Sequence, residues 1–73
     1  MVIVAQSGNR IVKNYSLLNP ATELGEFYIK VYTELPAGII IGKYASYERC
    51  KEVVQEIVNA YKDSLPVFEM PKE

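Results

Sequence analysis

The stretch EFYIKVYTEL, residues 26–35, alternates without a break. Phe27, Ile29, Val31, Thr33 and Leu35 fall on one side, and Tyr28, Lys30, Tyr32 and Glu34 on the other. A period of two marks a strand with one dry face and one wet face. Such a strand cannot stay folded alone, because its apolar face needs a cover.

The best candidate for that cover is the segment 46–63. Tyr47, Cys50, Val53, Val54, Ile57, Val58 and Tyr61 recur at spacings of three and four, and Glu48, Arg49, Lys51, Glu52, Gln55, Glu56, Asn59 and Lys62 fill the remainder. That is an amphipathic helix. Ser46 is its expected N-cap, Glu48 and Lys62 suit the two ends of its dipole, and Pro66 blocks its continuation. A capping box is absent, since its acidic position holds Arg49.

The remaining segments supply partners for the strand. VIVAQ (2–6) and RIVKNY (10–15) read as strands joined by a tight turn at Gly8-Asn9, two residues that tolerate positive φ. SLLNPATELG (16–25) contains Pro and Gly and has no clear period, so it reads as a connection. PAG (36–38) turns the chain, IIIGKY returns as a strand, and VFEM (67–70) adds a last edge strand before Pro71. The expected fold is α+β: an antiparallel sheet of four to five strands with one amphipathic helix across it, in a single domain over residues 1–73.

GK at 42–43, just before a helix, raises the question of a phosphate-binding loop. That motif needs Gly, four residues, then Gly-Lys-Ser/Thr. Position 37 is Ala and position 44 is Tyr, so the motif fails. Gly42 reads instead as a point where a neighbouring group comes close to the strand.

With no histidine, the usual general base is missing, and no acid–base pair can be named. Cys50 lies on the apolar stripe and reads as a small core residue. Glu48, Glu52 and Glu56, spaced by four, read as a solvated helix face. The chain is expected to be no enzyme and to need no cofactor or metal. A net charge of −1 lacks the basic excess that long nucleic acid demands. No apolar run is long enough to span a membrane, no secretion signal is recognisable, and one unpaired cysteine fits a reducing, cytoplasmic setting. A domain of this size, with no disulfide or metal to staple it, is expected to gain from self-association, so a homo-oligomer is expected.

Six tyrosines in 73 residues is a high count. Tyr28 and Tyr32 flank Lys30 on the wet face, and Tyr44 on the next strand is expected to join them in a protein-binding patch of Tyr28, Lys30, Tyr32 and Tyr44. A different set, Arg10, Lys43 and Arg49 with the helix N-terminus, would hold a small anionic or nucleotide-like ligand if its members converge.

GKYASYERCKEVVQEI and the closing FEMP resemble a set of small uncharacterised proteins from Firmicutes prophages and mobile elements. The shared features are a Gly-x-Tyr strand end, a Ser/Thr cap, an Arg-Cys/Ala-Lys helix start and a Tyr/Phe-x-Met-Pro tail, with AQSGNRIV matching more loosely. The resemblance implies no catalytic residue. It implies a setting in which a small phage-related protein binds a host factor or sequesters a signal.

Overall fold

A computed structural model describes residues 1–34 and 37–73. The elements run β1 (Val2–Val4), β2 (Ile11–Val12), β3 (Leu17–Glu23), β4 (Glu26–Tyr32), β5 (Ile39–Tyr44), α1 (Tyr47–Lys62) and β6 (Val67–Glu69). The class is α+β, but the strands form two three-stranded sheets rather than one. The first, ordered β2-β1-β6, is mixed: β1 pairs antiparallel with β2 and parallel with β6. The second, ordered β3-β4-β5, is antiparallel throughout.

Other expectations fail too, for physical reasons. Residues 17–23 are a strand, not a connection; all seven pair with β4, from Leu17 opposite Tyr32 to Glu23 opposite Glu26. Pro20 is tolerated there because β3 is an edge, where a strand can lack one donor. The two-residue hairpin of this chain is Leu24-Gly25, with φ of 52° and 77°, not Gly8-Asn9. Leucine is a poor residue for positive φ, which hid the turn. Between β1 and β2 the loop is wider, closed by the Ala5 N–H donating to the Arg10 carbonyl at 2.8 Å. The strand expected at 10–15 shortens to Ile11–Val12. Leu35 and Pro36, the expected strand end and turn residue, lie outside the described residues.

The helix forms almost as its pattern requires. Ser46 caps it, its Oγ accepting the Arg49 N–H at 3.1 Å. The far end closes before Pro66. Ser64, at φ 56°, takes the left-handed position, its N–H donating to the Tyr61 carbonyl while the Leu65 N–H donates to the Ala60 carbonyl. That is a Schellman motif with serine where glycine is usual. Cys50, Val53, Ile57 and Ala60 face inward.

α1 packs against β3, β4 and β5. One core joins all layers: Ile29, Val31, Ile41 and Tyr44 from the antiparallel sheet, Cys50, Val53 and Ile57 from α1, and Ile3, Ala5, Val12 and Met70 from the mixed sheet and its flanks. The radius of gyration, 11.4 Å, matches the value of about 11 Å expected for a single domain of this length. No described helix is long and apolar enough to cross a membrane.

Candidate interaction face

The side of the β3-β4-β5 sheet away from α1 carries the tyrosines. Cross-strand register places Leu17 beside Tyr32, Asn19 beside Lys30 and Ala21 beside Tyr28; on the other edge Lys43 lies beside Tyr28 and Ile40 beside Lys30. Tyr28, Lys30 and Tyr32 therefore do share one face, each half-buried, with Leu17 and Ile40 exposed around them. The Tyr32 ring lies against Gly38: a Cβ added there, where φ is +75°, would sit 2.9 Å from Tyr32 Cε1. Gly38 is thus required both by its backbone and by this ring.

The cations of this face are engaged. Lys30 Nζ lies 3.4 Å from Glu23 Oε2, and Lys43 Nζ lies 2.6 Å from Glu26 Oε1. The Tyr28 hydroxyl also donates to the Glu26 carboxylate. Hydrogen bonds from Lys43 and then Tyr28 hold the Glu26 carboxyl below its usual range, and the same bond to Glu26 raises the Tyr28 phenol. The two lysines and two glutamates cancel, leaving an aromatic and aliphatic surface of no net charge.

Tyr44 does not belong to this face; it is 6% exposed and part of the core. The register explains the correction. Ile29 pairs with Gly42 but Lys30 pairs with Ile40, so Ile41 is the extra residue of a β-bulge. A bulge reverses the in–out alternation beyond it. Ile41 and Gly42 are consecutive and both buried, after which Lys43 points outward and Tyr44 inward. Plain alternation from Ile41 would have done the opposite.

In the core, Tyr44 anchors the last residues of the chain. Its hydroxyl donates to the Pro71 carbonyl at 2.8 Å, and the Arg49 guanidinium sits 5.8 Å from the ring centroid. Gln6 completes the clasp: its side chain accepts the Lys43 N–H at 2.8 Å and donates to the Lys43 and Lys72 carbonyls, while Lys72 Nζ donates to the Gln6 carbonyl. Nothing in the sequence around Gln6 signals this role, because its partners are backbone atoms distant in the chain. Burial pushes the Tyr44 phenol up to about 12 from its usual value near 10. A phenol whose pKa is higher folded than unfolded stabilises the fold fully below pH 10, and that contribution is lost as pH rises from about 10 to about 12. Tyr15 and Tyr28 are shifted in the same direction. Titration with base should therefore unfold the wild type through that window. Tyr44→Phe should lower neutral-pH stability by about 1 kcal/mol, the worth of one hydrogen bond, and flatten the alkaline slope. Circular dichroism against pH reads both.

Arg10, Lys43 and Arg49 occupy different surroundings. Arg10 lines a shallow cavity with Ile11, Val12 and Ile39, and Lys43 lines another with Gln6 and Ser7. Arg49 is held by Glu52 and Glu56, both at 3.2 Å, and its Nε donates to the Glu73 carbonyl at 3.0 Å. No described cavity is lined by two of the three. Cys50 is fully buried, and burial raises its thiol pKa, which keeps it protonated and unreactive. Among the described residues, no group of three His, Cys, Asp or Glu side chains converges as a metal site.

A second apolar surface escaped the sequence reading. Met1, Tyr15, Leu18, Val54, Ile57, Val58 and Tyr61 line a groove of about 280 Å³ beside α1. The helix pattern contained the signal, since Val58 and Tyr61 lie off the arc defined by Cys50, Val53 and Ile57. No protein-family model, no curated protein and no solved structure matches this chain.

Proposed function

We propose that the chain is a non-enzymatic binding module that acts through protein–protein contacts at the outer face of β3, β4 and β5. The observation that carries this reading is the composition of that face. Tyr28 and Tyr32 flank a lysine already neutralised by Glu23, and exposed Leu17 and Ile40 extend the apolar area on either side. Tyrosine offers large contact area at low entropic cost, with a hydroxyl for polar pairing. A face without net charge favours an equally uncharged protein surface over a polyanion. The prophage setting implied by the resemblance agrees with a small protein that occupies a host factor.

The alternative, sequestration of an anionic or nucleotide-like ligand, requires Arg10, Lys43 and Arg49 to converge. The separate cavities of Arg10 and Lys43 and the carboxylates beside Lys43 and Arg49 weigh against it.

Site-specific photo-crosslinking in the expressing cell tests the proposal. A photoreactive residue at Ile40 should give a discrete adduct with another protein, and one at Glu52, on the far side of α1, should not. The adduct should vanish in Tyr28→Ser/Tyr32→Ser with the circular dichroism spectrum retained. An adduct that persists in that folded double variant, or none at Ile40, removes the face from consideration.

A further inference from the structure

α1 carries two apolar seams. Cys50, Val53, Ile57 and Ala60 are buried against the sheet. A second seam, Tyr47, Val54, Val58 and Tyr61 with Lys51 among them, repeats at 4-3-4-3 spacing, the pattern of a helix–helix contact. It lies roughly a quarter-turn away by the helical period. This seam is open: Tyr47 is 40% exposed, Val58 39% and Tyr61 70%. Beneath it lies the groove floored by Met1, Tyr15 and Leu18.

The geometry points to a second copy of this chain as the occupant, docked with its α1 antiparallel on the same seam across a two-fold axis. Three features select that partner and orientation. A two-fold between positions 54 and 58 sets Val54 of each chain against Val58 of the other, so the apolar centre of the seam meets itself, as a self-complementary interface requires. The same axis sets Lys51 against Tyr61. Lys51 Nζ already sits 5.9 Å from the Tyr47 ring centroid in its own chain, so it lies within reach of an aromatic face on this seam. Finally, the first turn of α1 carries Glu48 and its last turn Lys62. Antiparallel docking brings these opposite charges within about two residues of each other at both ends, whereas parallel docking sets like against like. The interface uses the helix flank and leaves the outer sheet face of each subunit free. It stands independently of the functional proposal, and if both hold, the dimer presents two such faces to a partner.

Sedimentation equilibrium over a concentration series is the test. The wild type should show a reversible dimer. Val58→Asp buries two carboxylates near the axis and should weaken it about a hundredfold. Tyr61→Ser, at a more exposed position, provides a second disruption should Val58→Asp perturb the monomer. Lys62→Glu should also weaken the dimer, and Lys62→Glu/Glu48→Lys should restore it, because only an antiparallel pair exchanges those charges between chains. Glu52→Lys, on the opposite flank, should leave it unchanged. A monomer at all concentrations overturns the proposal. So does a dimer indifferent to both Val58→Asp and Tyr61→Ser, and so does a failure of the double charge reversal to rescue. A monomer whose Tyr61 position photo-crosslinks to a different protein assigns the flank to that protein and likewise overturns it.

Discussion

Truncation of Ile29 to alanine is expected to cost about 2–5 kcal/mol. Ile29 is fully buried at the middle of β4, the central strand of the antiparallel sheet, with Pro20 beside it on β3 and Gly42 on β5. Neither neighbour has a side chain that can extend into the space left behind, so the cavity should persist rather than collapse. A chain of 73 residues carries about 4–11 kcal/mol of stability by the usual per-residue range. The loss therefore removes a large part of the total, and at the lower end of that range the variant does not fold. Urea denaturation measures it: the midpoint should fall with the slope unchanged. A loss under about 1 kcal/mol would mean that the site repacks and that Ile29 is not the keystone its burial implies.

The second large effect is expected at Gly42. A Cβ there would stand 2.7 Å from Tyr44 Cε2, 3.0 Å from Met70 Cε and 3.0 Å from the Tyr44 hydroxyl oxygen. Met70 can swing its methyl aside. The Tyr44 ring cannot, because it is rigid, buried and tied to the Pro71 carbonyl. Gly42→Ala should cost about 1–3 kcal/mol by overpacking, with a local signature. The clash falls on the residues that hold the closing segment against β1, so the Met70 N–H, which donates to the Val4 carbonyl at 3.0 Å, should lose exchange protection beyond the global decrease. Unchanged protection at Met70 would show that Tyr44 and the closing segment are not mechanically coupled. The GK pair that first suggested a phosphate loop thus has a packing origin: glycine makes room for a tyrosine ring, and lysine follows on the outside as the partner of Glu26.

The places where sequence reasoning stopped share a cause. Positions 17–23 have no alternation because β3 is an edge strand whose side chains are exposed or half-buried in no regular order, so no period could announce it. The Leu24-Gly25 turn carries a residue that local preference argues against, and the seven-residue pairing with β4 outweighs that cost. Tyr44 was misplaced by the bulge at Ile41, which exists only when β5 is laid against β4. Gln6 was invisible because its partners, at positions 43 and 72, are assembled by the fold.

What the sequence by itself determined was whatever depends on neighbours a few residues apart. The dry face of residues 27–31, the helix with Ser46 as its cap, the buried character of Cys50 and the shared face of Tyr28, Lys30 and Tyr32 all follow from periods of two or about 3.6. The tertiary structure alone decided how many sheets form, that β6 returns parallel to β1, which way Tyr44 points, and that α1 keeps a second seam uncovered. Each of these rests on contacts between residues far apart in the chain, where the energy of pairing and packing overrides local preference.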